Sequence, residues 1–315
     1  MIRAGLRPSI GVLVVAAILG GAGCEASRVP PADQPVFVGS SASSSPATPS
    51  VAPSVGASSG TPTAGADPAV TPSGVPSPPA GPSVPGATPT GARAPVVDHG
   101  PRTGNKVALT FDADMTDAML ANLRAGRVKS YANLRILDLL EREQVPATFF
   151  LTGKWVRRYP DVTRRIAGNP RFEVANHTYG HAAFTRDCYD LPSLPVDELA
   201  GDVAKTFEVI EPYGGRQTRY FRFPGLCHDT AALDALAPLG VTVVDGDVAS
   251  GDPFATAWKP LVRAVLDHVR PGSVVIMHVT EANAAMTDEA LPHILAGLRK
   301  RGLVAAPLSE VLAGG

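Results

Sequence analysis

The sequence predicts an α/β fold built on a parallel sheet closed as a barrel, and three observations carry that prediction. Short β-rich runs alternate with amphipathic segments from Lys106 to the C-terminus. Long helical stretches separate successive runs, where an antiparallel sheet would use tight turns. Ionisable residues collect where the runs finish, and in an α/β barrel those ends form the one rim on which sites are built.

The strands are expected at Lys106–Phe111, Ala147–Leu151, Phe172–Ala175, Arg219–Arg222, Val241–Asp245, Ser273–Met277 and Leu303–Ala306. Helices are expected between them at Tyr131–Gln144, Trp155–Ala167, Val196–Tyr213, Thr230–Ala237, Lys259–Val269 and Asp288–Arg301. In Tyr131–Gln144, Leu134, Ile136, Leu137 and Leu140 recur at helical spacing beside Arg135, Asp138 and Glu141, so one stripe faces a core. Pro271-Gly272 punctuates the junction before the sixth strand.

The N-terminal third has a different composition. Residues 1–23 read as an export signal: Arg3 and Arg7 open it, Ile10–Leu19 is its apolar core, and Gly21-Ala22-Gly23-Cys24 ends it in small residues. The apolar run is shorter than the ~20 residues that span a bilayer. Cys24 resembles the lipid-modified cysteine of bacterial lipoproteins, although Gly21 stands where that pattern prefers leucine; ordinary secretion with nearby cleavage is the alternative. Residues 24–101 are expected to be a disordered linker, since Glu25–Pro95 holds 16 of the 31 prolines and no charge falls between Gln34 and Ala66. As a flexible coil its ~70 residues average roughly 45–50 Å end to end. Residues 102–315 then form one domain. A net charge of −1 gives no reason to expect nucleic acid, and a monomer is expected. With Cys24 lipidated, Cys188 and Cys227 remain as a disulfide pair suited to an oxidising compartment.

The candidate site lies at the strand ends. His177 and His181 are spaced i,i+4, which can present both imidazoles on one face of a helical turn. One carboxylate added to them completes a two-nitrogen, one-oxygen set with an open position, the usual arrangement of catalytic zinc. Asp112 and Asp114 follow the first strand, Arg222 ends the fourth, Asp247 and Asp252 follow the fifth, and His278 ends the sixth.

With these motifs placed in order, the chain from about Val107 to Leu312 resembles the polysaccharide deacetylase family with the NodB homology domain (carbohydrate esterase family 4). Thr110-Phe111-Asp112-Ala113-Asp114 is similar to its Thr-Phe-Asp-Asp motif, and His177–His181 to its H-[ST]-x-x-H motif. Phe221-Arg222-Phe223-Pro224-Gly225 matches its Arg-x-Pro motif, Asp247–Asp252 loosely matches the fourth, and Ile276-Met277-His278 matches its closing Leu-x-His. The resemblance implies a distorted (β/α)7-type barrel and one divalent ion on Asp114, His177 and His181. Zinc is the expected ion, with cobalt, nickel or manganese as alternatives. It further implies Asp112 as general base held by Arg222, the Phe223-Pro224-Gly225 stretch lining the groove with the Gly225 N–H at the oxyanion, and His278 as general acid.

Two departures bear on that reading. Asp-Ala-Asp replaces the adjacent pair, so the metal carboxylate is expected one residue later, on the same strand-end loop. Ala249 occupies the place of the aspartate that orients the acid histidine, leaving Asp247 or Asp252 to do so. Met115–Ser130 is longer than the usual connection and is expected as a loop over the groove. Cys227-His228 is weighed as a second metal pair and set below the disulfide. Trp155 and Trp258 are read as packing groups, and His268 and His293 as surface residues. The expected activity is removal of N-acetyl groups from peptidoglycan or a chitin-like polymer by a protein tethered outside the membrane through a lipid. An O-acetyl xylan esterase and an inactive glycan-binding lipoprotein are the alternatives.

Overall fold

The computed structural model describes residues 93–314. The export signal, Cys24 and the linker up to residue 92 lie outside the described residues. Nine parallel strands are present among those described: β1 (Val96–Val97), β2 (Lys106–Ala113), β3 (Ala147–Leu151), β4 (Phe172–Asn176), β5 (Arg216–Phe221), β6 (Thr242–Val244), β7 (Val248–Ala249), β8 (Val274–His278) and β9 (Val304–Ala306). Their order is β1-β6-β5-β4-β3-β2-β8-β7, with β9 pairing the first half of β2. The sheet curls rather than closing through a continuous ladder. At the seam, Asp245–Asp247 joins β6 to β7, and an isolated antiparallel bridge sets His99 against Ser273.

The seven expected strands are all present, and two more complete the sheet. β1 corrects the expected linker end at residue 101. Val96 and Val97 pair with Val243 and Val244, and Ala94 is buried. Two residues between Pro95 and Asp98 are too short a run to stand out from a proline-rich tail. Only the partner edge of β6 makes them a strand.

Strand parity explains where the polar residues go. Side chains alternate between faces along a strand. On β2, Val107, Leu109, Phe111 and Ala113 pack into the layer beneath the helices. Ala108 belongs instead to the cluster inside the barrel with Phe150, Ala175, Val244 and Val274. Thr110 and Asp112 share its parity and point inward. β3 reads Ala-Thr-Phe-Phe-Leu with every residue buried, as a strand covered on both faces must be.

The helices are α1 (Asp117–Arg124), α2 (Leu134–Arg142), α3 (Gly153–Arg158), α4 (Pro160–Gly168), α5 (Leu199–Ile210), α6 (Thr230–Leu236), α7 (Trp258–Leu266), α8 (Thr287–Lys300) and α9 (Leu308–Ala313). In α2, Asn133 caps the N-terminus by accepting from the Arg135 N–H, and Ile136, Leu137, Leu139 and Leu140 are buried. Each such side chain contributes roughly 1.5–3 kcal/mol of transfer free energy. The single helix expected over Trp155–Ala167 is two helices, because Pro160 has no N–H to continue α3 and instead opens α4. Met115–Ser130 is not the expected loop: Thr116 caps α1 by accepting from the Met119 N–H. Only Met119 of this helix is buried, so its hydrophobic stripe is weak. No helix of the described residues is long and apolar enough to cross a membrane.

Candidate active site

β2 runs through Ala113, so the alternation of the strand reaches Asp114. Asp112 and Asp114 therefore turn to one side, into the barrel mouth, while Ala113 packs outward in the helical layer. The Asp114 N–H donates to Thr280 Oγ1 at 3.0 Å, fixing the residue just past the strand. Asp112 is not beyond the strand end, as expected, but within it.

Arg222 follows β5 and is fully buried. Its Nη1 donates to Asp112 Oδ1 at 2.7 Å and to Thr110 Oγ1 at 2.9 Å, and its Nε donates to the Val244 carbonyl at 3.0 Å. The guanidinium also lies 4.1 Å from the centroid of the Phe150 ring. The pair fixes one Asp112 oxygen and leaves Oδ2 facing the histidines, 3.8 Å from His177 Nε2.

The two histidines are not on a helical turn. β4 ends at Asn176, and the loop after it takes positive φ at Thr178 and His181. Asn176 Oδ1 accepts from the Thr178 N–H, and Thr178 Oγ1 accepts from the His181 N–H. This compact loop faces the rings toward each other with centroids 5.0 Å apart, an outcome that an i,i+4 helical spacing reached by a different route. His177 Nδ1 donates to the Arg222 carbonyl at 2.8 Å, so its Nε2 carries the lone pair toward the site.

Of the two carboxylates weighed as partners of His278, only Asp252 lies beside it. Asp252 Oδ1 accepts from His278 Nδ1 at 2.8 Å, and Oδ2 accepts from the His278 N–H at 2.7 Å. Ser250 and Thr287 donate to the same carboxylate. Asp247 is corrected out of the site. It accepts from Arg102, Ser273 and the Val274 N–H, at the opposite end of β8 from His278. That is about 13 Å away along a strand. Thr280, which holds the Asp112–Asp114 backbone, and Thr287, which donates to the Asp252 carboxylate, were missed by sequence reasoning, since nothing marks a buried threonine from a distant segment as a partner of a site aspartate.

Beyond Arg222, Phe223 is buried and Pro224-Gly225-Leu226 makes a tight turn with Gly225 at φ 63°. The turn's backbone bonds come from Leu226 and Cys227, which leaves the Gly225 N–H outside them. A Cβ on Gly225 would fall 2.7 Å from Cys188 Sγ, so only glycine fits. Cys188 and Cys227 are joined by a disulfide, which ties this turn to the loop after His181. The thiolate needed for a Cys227-His228 metal pair is thus absent, and His228 pairs with Asp245 at 2.9 Å. Trp155 is buried with its Nε1 donating to the Tyr131 carbonyl, and Trp258 stacks on His293 at 4.1 Å.

These groups line a cleft of about 310 Å3 that contains Asp112, Asp114, His177, His181, Gly225 and His278. A larger groove, about 830 Å3, lies behind the His181 loop between α1 and α5 and holds none of the Asp112, His177 or His278 side chains. α1 therefore borders that groove and not the cleft.

The electrostatics follow from burial of like and unlike groups together. Burial is the largest influence on the Asp114 carboxyl and pushes it up, yet His181, His278 and His177 hold it well below the usual carboxylate range. Burial takes His181 down to about 4 against the pull of Asp114, leaving it the neutral imidazole that a metal ligand must be. For His278 burial opposes the charged ring, but Asp252 and Asp114 outweigh it and raise the group to about 10. Asp252 is depressed: burial works upward and the His278 ring, Thr287 and Ser250 prevail.

Asp114, His177 and His181 fit a divalent ion. Each offers one donor atom, all within 4.8 Å of one another. Asp114 Oδ1 is buried with no hydrogen-bond partner, although His181 Nε2 lies at 3.3 Å and His177 Nε2 at 3.6 Å. A buried carboxylate oxygen left unpaired is costly, and two imidazole nitrogens converging on it make a cation the natural complement. Two nitrogens and one oxygen are a donor set for zinc or cobalt.

A curled parallel barrel with this donor set at its strand ends, flanked by an Asp–Arg pair and a His–Asp pair, can carry metal-assisted hydrolysis. The model of the polysaccharide deacetylase family matches residues 99–244 of this chain. It is 28% identical to the peptidoglycan-N-acetylglucosamine deacetylase of Bacillus cereus, over 64% of this chain and 66% of that protein. The structure of a family 4 acetyl xylan esterase from Clostridium thermocellum, in complex with a cobalt ion, is 26% identical with a TM-score of 0.53, covering 66% of this chain and 90% of that one. A CE4 family pseudoenzyme from Bacillus anthracis shares the fold at 24% identity and a TM-score of 0.56, covering 69% and 68%. The chain spans about half the length of a further Bacillus subtilis relative, 52%.

Proposed function

We propose that this protein is a metal-dependent deacetylase that removes N-acetyl groups from an N-acetylglucosamine-containing glycan, peptidoglycan or a chitin-like polymer, releasing acetate. The observation that carries the reading is the pairing of roles around one cleft. Asp112 is oriented by Arg222 with one oxygen free, and His278 is oriented by Asp252 with Nε2 turned to the same space, 3.9 Å from Asp114 Oδ2. Bound by Asp114, His177 and His181, a divalent ion supplies Lewis acidity to the acetyl carbonyl and to the attacking water.

The chain's own groups do the rest. Asp112 Oδ2 takes the proton of the water as its oxygen bonds to the acetyl carbon. The Gly225 N–H, held outside the bonds of its own turn, donates to the oxygen on which negative charge develops. His278 then gives a proton to the sugar nitrogen as the carbon–nitrogen bond breaks, since an unprotonated amide nitrogen leaves poorly. Asp252, accepting from Nδ1, favours the cationic His278 ring, whose Nε2–H is then the proton to be given.

The name of the Bacillus cereus relative supports an N-acetylated wall glycan. The signal-like N-terminus and its proline-rich continuation support a location outside the membrane, anchored through Cys24. Likeness to the acetyl xylan esterase makes O-acetyl xylan the comparison substrate. A purely glycan-binding role leaves the Asp112–Arg222 and His278–Asp252 pairs without a use. Acetate release by the full chain on chitooligosaccharides, peptidoglycan and acetylxylan, with and without a chelator, tests the proposal. Release from acetylxylan alone would replace it with the esterase reading.

A further inference from the structure

Among the described residues six large hydrophobic side chains are exposed: Val96, Leu134, Tyr189, Leu226, Phe254 and Val304. Three of these, Tyr189, Leu226 and Phe254, line the cleft that holds Asp114 and the histidines, and the other three do not. Tyr189 is 68% exposed and Phe254 79% exposed. They arrive from different segments, Tyr189 beside the disulfide and Phe254 after β7, yet their ring centroids are 6.4 Å apart. Folding gains little from either ring. Tyr189 is also held at φ 50°, which is unfavourable for a bulky residue. An aromatic pair kept exposed at such a cost, on the lip of the cleft, is a surface for a ligand.

The geometry decides which kind of surface. A sugar ring slotted between two aromatic faces needs a van der Waals separation on each side, about 7–8 Å between centroids. At 6.4 Å and 38° between planes the rings touch each other and form a platform rather than a slot. The cleft, about 310 Å3, is at the small end of ligand sites, so a polymer cannot lie inside it. Sugars next to the one being deacetylated must lie on the lips. We infer that Tyr189 and Phe254 form a stacking platform for the pyranose ring that neighbours the reacting sugar, and that they make the protein prefer oligomers to a monosaccharide.

The inference takes its substrate class from the deacetylase reading, and binding can be measured apart from turnover. Full-chain protein is titrated calorimetrically, after chelation, with an N-acetylglucosamine tetrasaccharide and with the monosaccharide. Tyr189→Ala and Phe254→Ala each weaken tetrasaccharide binding by roughly 2–10-fold, the worth of one aromatic contact, and leave monosaccharide binding as it was. Tyr189→Trp restores the affinity. In steady-state acetate release, KM for the tetrasaccharide rises with kcat retained. Equal losses for mono- and tetrasaccharide, unchanged affinity in both alanine variants, or no binding of the tetrasaccharide by the parent protein each overturn the platform. Binding through the rings without acetate release sinks the deacetylase reading instead and leaves the platform standing.

Discussion

At the scale of single residues, the Asp-Ala-Asp stretch is where physical reading adds most. An adjacent pair of aspartates on a strand would point to opposite faces, and one of them must then bend out of the strand to reach a shared site. Here the strand continues through Ala113, and the i,i+2 spacing carries both carboxylates inward. The sequence made the two carboxylates and the two histidines visible; it could not show that parity unites them. The roles separate cleanly by test. Asp112→Asn keeps a neutral hydrogen-bonding group for Arg222 but cannot accept a proton, so metal content stays near normal while turnover falls roughly 10²–10⁴-fold. Asp114→Ala removes one of three donors, so metal content falls first and added metal partly restores turnover. Metal lost from Asp112→Asn and kept in Asp114→Ala reverses the assignment. Asp252 was one of two candidates by sequence, because spacing along a loop does not say which carboxylate turns toward β8. Asp252→Asn should cut turnover by about 10-fold or more while Asp247→Asn leaves it within 2-fold, a positioning effect short of the 10²–10⁴ for losing the acid itself. Comparable losses in both variants contradict the placement of Asp247 at the far end of the strand.

At the scale of elements, the strands read well and the loops did not. Runs such as Ala147–Leu151 announce themselves by continuous apolar residues, and β3 occupies that span. The histidine loop and the Gly225 turn owe their shapes to side-chain bonds and to left-handed backbone, which no periodicity records. Four non-glycine residues at positive φ, Asp187, Tyr189, Asp190 and Leu226, lie within three positions of Cys188 or Cys227. The disulfide holds two segments in conformations that free chain disfavours. Replacing both cysteines with serine should speed amide exchange at residues 187–190 and 224–228, and lower acetate release because the Gly225 N–H loses its fixed place. Amides of β2 to β4 should keep their protection. Unchanged exchange in both loop segments contradicts a holding role for the bridge.

At the scale of the whole molecule, the barrel needs the chain that precedes it. Composition placed the boundary at residue 101, because proline and small residues continue to that point. The structure extends the domain back through β1, which covers the edge of β6. The backbone bonds Ala94 N–H to Leu233, Val243 N–H to Pro95, Asp245 N–H to Val97 and Gly100 N–H to Gly272 all disappear from a chain trimmed to begin at Arg102. At a net 0.5–1.5 kcal/mol each, that chain should be less stable by about 2–6 kcal/mol than one beginning well before Arg93, and it should aggregate more readily through the bared edge. Equal denaturant midpoints for the two chains contradict this.

The central claim is that the cleft of Asp112, Asp114, His177, His181 and His278 hydrolyses the acetamide of an N-acetylglucosamine glycan with a divalent ion in place. Acetate release from an N-acetylglucosamine tetrasaccharide by the full chain tests it most directly, measured as purified, after exhaustive chelation, and after zinc or cobalt is restored. The account predicts release by the purified protein, loss on chelation, recovery with either ion, and no recovery in His177→Ala. Undiminished release after complete metal removal, or none under any metal condition, would contradict it.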